Sequence, residues 1–216
     1  MKRLVLALPA VYLALSLDRL APAAPPPPRA AVSGWSEAAA LLPVRSEGRF
    51  GRPGDPLNLV FVGSPAAVRA ALSGAGWTEI PTATRAALAS GSLPMNDYRL
   101  LGRVQDMNWA IQVRPLVERH HFRLWRTGFV DPRGRDLWWG AANYDLRLRW
   151  WAFSHVPDPD ASRERDFIAS SLKGSPLLES AALVAVPGLP RQGFNDKGYP
   201  FRTDGRAALL ILKARP

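Results

Sequence analysis

The sequence predicts an α+β fold: a mostly antiparallel sheet with about three helices packed on one face, in a single domain. Three observations carry that expectation. Residues 120–129 and 137–150 alternate apolar and polar side chains with the period of a strand, on either side of the turn Asp131-Pro132-Arg133-Gly134. Ser64-Pro65 and Asp158-Pro159 each pair a capping side chain with a proline, the signature of a helix start. Strands outnumber helices without alternating strictly with them, which separates α+β from α/β.

In chain order, Lys2 and Arg3 precede an apolar run from Leu4 to Leu17, and Ala21-Pro22-Ala23 follows with small residues. This is the layout of a signal peptide, so residues 1–23 are expected to be a signal peptide or an N-terminal membrane anchor. The run falls short of the roughly 20 apolar residues of a spanning helix. Four prolines at 25–28 adopt stiff polyproline II. They open a proline-rich linker expected over 24–54, within which a short helix fits at Ser36–Leu42. Residues 55–216 form the expected domain. The address is an exported protein, either periplasmic or membrane-anchored and facing the periplasm.

Within the domain, Asp55 to Gly63 is a run of aliphatics bounded by proline and glycine, which reads as a strand. A helix follows from Ser64 to about Ser73, stopped by Gly74 and Gly76, and a second spans Thr82–Ala89. Residues 98–113 mix apolar and polar positions and fit either a strand or an irregular segment. Then come the two alternating strands and their turn, which make a hairpin. Asp158-Pro159 opens a third helix, capped by Asp158, with Phe167, Ile168 and Leu172 as its buried stripe. Strands are expected near Ala182–Val186 and Ala207–Lys213, with a polar, glycine-rich loop at 191–206 between them.

The hairpin gathers the chemistry. Only one parity puts Phe122 and Leu124 on the face of Tyr144 and Leu146. With a loop at 131–135, His121 lies opposite Asp145 and Arg123 opposite Asn143, all four on one face. His120 points the other way, so the two adjacent histidines do not share a metal ion. Counting back along the third helix turns Glu164 toward the protein, where a buried carboxylate needs a partner; Arg123 and Arg119 are the expected ones. His121 and His155 are candidate acid–base groups, because imidazole titrates near neutrality, and Asp145 is the candidate orienting carboxylate. Arg123 and Asn143 are candidate ligand-binding groups. His120, Trp125, Asp158, Asp160, Glu164, Arg165 and Asp166 are the expected support. His155, Asp160, Glu164 and His121 could be drawn together as a metal set, but no metal-ligand spacing accompanies them, and no metal is expected. The bland alternative is a network of ion pairs and caps locking the third helix to the sheet. Trp138, Trp139, Trp150 and Trp151 suit either a stacking surface or, more simply, the core.

Composition limits the function classes. The chain has 216 residues and no cysteine, which excludes disulfides, thiolate metal sites and a cysteine nucleophile. Its 28 lysines and arginines against 18 acidic residues give a formal charge of +10, which attracts phosphates and other anions. No nucleic-acid recognition motif is present, so nucleic acid is not an expected partner. Cofactors and oligomeric state are not readable.

The segments DPLNLVFVGSPAAVRAALSGAGW, HHFRLW, NYD and HVPDPDASRERD resemble the LssY C-terminal domain family over about residues 55–172. That domain occurs at the end of bacterial membrane proteins, including lipid-phosphatase-like and DedA-like ones, and also alone. The resemblance implies an association with the cell envelope. It implies no reaction: none of the phosphatase's own catalytic motifs is present. Where the family often has a second histidine beside the position of His155, this chain has Ser154 and Val156. The combined expectation is a binding or accessory module for an anionic envelope or membrane component. The alternative is a hydrolase-type enzyme acting on a phosphate-bearing or otherwise anionic envelope substrate.

Overall fold

The computed structural model describes residue 25, residues 27–81, 87, 95–115, 117–149 and 154–213. The expected N-terminal signal, nearly all of the expected helix at 82–89, Trp150 and Trp151 lie outside these residues. No described helix is long and apolar enough to cross a membrane.

Among the described residues the fold is α+β, with three helices and mixed sheets. The strands are β1 (Ala30–Ala31), β2 (Arg45–Glu47), β3 (Pro53–Pro56), β4 (Leu59–Val62), β5 (Thr78–Glu79), β6 (Arg99–Leu100), β7 (Arg103–Val104) and β8 (Met107–Arg114). They continue as β9 (Glu118–Val130), β10 (Asp136–Arg149), β11 (Ser154–Pro157), β12 (Leu178–Ala185), β13 (Gln192–Phe194), β14 (Pro200–Arg202) and β15 (Arg206–Leu212). The helices are α1 (Trp35–Leu41), α2 (Pro65–Gly74) and α3 (Ala161–Ser171). Among the described residues the main sheet runs β12-β15-β4-β10-β9-β8-β5, with β11 beside β10 and β1 beside β9. The pairs β15–β4 and β1–β9 are parallel; β10 pairs antiparallel with β9, β4 and β11. A smaller sheet orders β3-β2-β6-β7, and β13 and β14 form a hairpin.

The helices do not share one face. Leu59, Phe61, Phe122, Leu124 and Trp138 meet α2 and α3 through Val68, Leu72, Ile168 and Leu172. Val60, Val62, Trp125, Trp139 and Ala141 meet α1 through Ala38 on the other side. The cause is in the composition of the central strands. All four side chains of β4 are buried, and such a strand must be covered on both faces. Fully burying each contributes about 1.5–3 kcal/mol. Trp139 stands opposite Trp125 and donates from Nε1 to the Pro43 carbonyl at 2.8 Å, with Trp35 against its ring at 4.8 Å. The tryptophan pair 138–139 is therefore core, one ring per face.

The stretch expected as a linker carries structure where it is described. Pro27 and Pro28 cross β9 at Gly128, β1 pairs with Phe129 and Val130, and Val32 is buried. Arg29 donates to the Gly134 carbonyl at 2.8 Å and lies 3.3 Å from Asp136.

Local expectations hold at α2, where Ser64 accepts from the Ala67 N–H with Pro65 in the first turn. They shift by two residues at α3. Its cap is Asp160, which accepts from the Arg163 N–H. Asp158 instead accepts from the Asp160 N–H at 2.8 Å, tightening the turn that leads out of β11. The run 98–113 resolves into β6, β7 and β8, and the loop expected at 191–206 contains the β13–β14 hairpin.

Candidate functional site

The β9–β10 register sits two residues from the expected one. Asp136 pairs with Val130, but from Trp138 onward the pairing slips, giving Asn143 opposite His121, Ala141 opposite Arg123 and Asp145 opposite Arg119. The cause is a bulge on β9 at Gly128, whose φ of +85° is open to glycine and whose missing Cβ lets Pro27 and Pro28 pass. A shift of two preserves parity. His121, Arg123, Asn143 and Asp145 therefore do share a face, as the alternation predicts, and Arg119 joins them. A second irregularity between Asp145 and Arg147, against β11, brings Leu148 opposite His155, so the alternation read from sequence stops at Asp145.

On that face Asp145 is the hub. Arg119 donates from Nε to its Oδ2 at 2.9 Å, and the Nδ1 atoms of His121 and His155 stand 3.4 and 3.6 Å from the same oxygen. Burial raises the Asp145 carboxyl, but the charges of His121, Arg119 and His155 and the Arg119 hydrogen bond outweigh it, holding Asp145 below the usual carboxylate range. Burial holds the His121 imidazole well below its ordinary value; Asp145 opposes this, and Arg119, Arg123 and His155 reinforce it. The His121 Nδ1 has no hydrogen-bond partner among the described residues. His155 is the most open of the group, with 12% of its side chain exposed.

Arg123 leaves this hub for a second one. It lies 3.5 Å from Asp55 Oδ2, donates to the Asn96 carbonyl at 3.3 Å, and stacks over the Tyr98 ring at 4.5 Å. The loop between β13 and β14 closes over this group. Asn195 donates to Asp55 Oδ1 at 3.0 Å, Tyr98 donates to Asp196 at 2.6 Å, and Lys197 lies 5.8 Å from the Tyr98 ring. Burial and the Asp55 charge push the Tyr98 hydroxyl well up, with Asp196 adding to it, so it stays a donor. At the same loop Arg149 donates to the Tyr199 hydroxyl at 3.1 Å, and Arg45 sits over the Phe201 ring at 4.9 Å.

Glu164 does not meet Arg123 or Arg119. It faces the protein as expected, but on the opposite side of the sheet, where Oε2 bonds His120 Nδ1 at 2.8 Å. The reason is parity: α3 packs on the Phe122–Leu124 face, and His120 is the polar residue there. His120 is stacked on Phe167 at 3.7 Å and lies 4.4 Å from the Tyr144 ring. Burial pushes the Glu164 carboxyl up; the His120 bond opposes, while Asp145 and Asp158 add to the rise. Burial and a hydrogen bond to Glu118 push the Tyr144 hydroxyl up to about 12.

The sheet therefore divides the expected constellation. His121, Asp145, His155, Arg123 and Asn143 occupy one side, with Trp125 buried beside them. His120 and Glu164 occupy the other. Asp158 and Asp160 shape the start of α3. Arg165, 1% exposed, ties α3 to β15 by bonding Asp204 at 3.0 Å, the Arg206 carbonyl at 2.9 Å and Asp166 at 2.8 Å. Sequence reasoning passed over Asp55, Tyr98, Arg149 and the loop from Asn195 to Tyr199. Their only local signal is an Asn-Asp-Lys-Gly turn, and their meeting depends on contacts across 50 to 140 residues. Among the described residues, no three histidines or carboxylates are grouped as metal ligands.

A comparison with curated proteins and one with solved structures each return no match. The family model described as LssY C-terminus matches residues 39–207, from α1 through the first residues of β15 and across both sides of the divided cluster. The chain belongs to the LssY C-terminus family.

Proposed function

We propose that this domain is a binding or accessory module for an anionic component of the cell envelope, and that it grips the anion at the β13–β14 loop. One observation carries the reading. Four cations, Arg45, Arg123, Arg149 and Lys197, gather on the rings of Tyr98, Tyr199 and Phe201, in the same cluster as Asp55 and Asp196. The rings hold the cations in place, and cations held side by side in this way suit a phosphate or carboxylate ligand. The exported address, periplasmic or membrane-anchored, is part of the same proposal, supported by the basic and apolar pattern of residues 1–23. The test is calorimetric titration of the full chain with pyrophosphate. Wild type should bind, Lys197→Ala and Arg149→Ala should each weaken binding severalfold, and Arg69→Ala, remote on α2, should not. No binding by wild type, or equal binding by all four proteins, refutes the reading.

A hydrolase-type reading rests on a different observation: two imidazoles beside one oxygen of an ionised Asp145. In it His155, the most open member, is the acid–base group, Asp145 orients it, and Arg123 and Asn143 bind substrate. Burial of His121 and Asp145 makes it the second choice. Loss of phosphoester hydrolysis in His155→Ala, with pyrophosphate binding intact, would promote it.

A further inference from the structure

We propose that the chain self-associates through the free edge of β12, pairing antiparallel with the same strand of a second copy. β12 ends the main sheet: it pairs with β15 on one side and, among the described residues, with no strand on the other. An unpaired edge presents a row of backbone donors and acceptors, and proteins usually blunt it with charge, proline, a bulge or brevity. The opposite end of the sheet is blunted in this way. β5 is two residues long, and its Glu79 is paired with Arg69 at 2.9 Å. β12 is eight residues long; its bulge lies at its start, between Leu178 and Ser180, and proline comes only at Pro187. Ser180 to Ala185 carries no charge, and most of it is exposed, with Leu183 44% exposed. On one face the half-buried Val184, Leu209 and Ile211 continue the core out toward this edge.

A second copy fits the edge better than an arbitrary strand does. A twofold axis matches the two rows of backbone groups automatically, because both edges are the same. Centred at Ala182 or Leu183, the pairing sets small residues against larger ones: Ala181 meets Leu183 in the first register, and Ala182 meets Val184 in the second. The one charge of the strand, Glu179, then lies six to eight steps from its symmetry mate, roughly 20–27 Å at about 3.4 Å per residue, so the carboxylates do not repel. A single strand edge buries less than the ~1,600 Å² of a standard interface. The dimer is accordingly weak and concentration-dependent.

Sedimentation velocity of the full chain, from low micromolar to hundreds of micromolar, tests this. The weight-average mass should climb toward twice the protomer. Ala182→Lys, at an exposed position, should remain monomeric with an unchanged circular dichroism spectrum. The cysteine-free sequence permits a second test. Mild oxidation of Ala182→Cys or Leu183→Cys should give covalent dimer well above that of Ser73→Cys on α2. A monomeric wild type throughout, a dimer unaffected by Ala182→Lys, or equal cross-linking at Ser73→Cys overturns the proposal. None of these outcomes bears on pyrophosphate binding.

Discussion

The Arg119–Asp145 pair is where the divided cluster is most exposed to a quantitative test. Both side chains are 6% exposed, and the guanidinium donates directly to the carboxylate at 2.9 Å. Two unit charges about 4 Å apart at an effective dielectric near 20 interact by ~4 kcal/mol. Removing one partner of a buried pair costs about 3–5 kcal/mol, because the other charge stays buried without compensation. Arg119→Met keeps most of the stem and removes the charge, so it should lose that amount in urea denaturation at neutral pH. The pH dependence follows from the sign of the shift. In wild type Asp145 is held below its ordinary value of 3.8, so its contribution is present above that pH and is lost as pH falls through the lower folded value. In Arg119→Met, only His121 and His155 are left to oppose burial, so the carboxyl sits higher than in wild type. The variant's deficit should then be largest at neutral pH and shrink toward pH 4. Arg119→Met combined with Asp145→Leu should recover most of the loss, since neither charge remains. A single-variant loss under about 1 kcal/mol, or two losses that simply add, refutes the claim that Arg119 holds Asp145.

Other perturbations follow from the same structure. Gly128→Ala forces a side chain into a backbone with φ of +85° and sets a Cβ 2.8 Å from the Pro28 carbonyl oxygen. It should cost about 1–3 kcal/mol and make the Pro27–Ala31 segment markedly more susceptible to proteolysis. Asp160→Ala should cost about 1 kcal/mol by removing the cap of α3, measured by urea denaturation. Glu164 has a raised folded value, so its contribution is full below its ordinary 4.5 and is lost as pH rises through the folded value. Glu164→Gln should match wild type in acid and gain on it steadily toward neutral pH; a difference independent of pH contradicts the assignment.

How much of this was legible depends on the range of the interactions. Alternation along 120–129 and 137–145 places His121, Arg123, Asn143 and Asp145 on one face because a strand's period is local. It turns His120 the other way for the same reason. The register was legible only to parity, since the two-residue slip at Gly128 accompanies Pro27 and Pro28 crossing β9 a hundred residues away in sequence. The inward turn of Glu164 follows from the α3 stripe. Its partner does not, because nothing in the helix says which face of the sheet it covers. Helices on both faces could have been inferred from Leu59-Val60-Phe61-Val62, a run with no polar position to face water. The β13–β14 hairpin was not legible. Strands of three residues carry no period, and this hairpin is held by the distant Arg45, Asp55 and Tyr98.

Nitrogen-15 NMR of the full chain titrated with pyrophosphate tests the central claim, that the β13–β14 loop grips an anion, most directly. Saturable shifts should concentrate at Asn195–Tyr199 and at Arg149, with α2 unmoved. Shifts that do not saturate, or that scatter evenly over the exposed arginines, would contradict it.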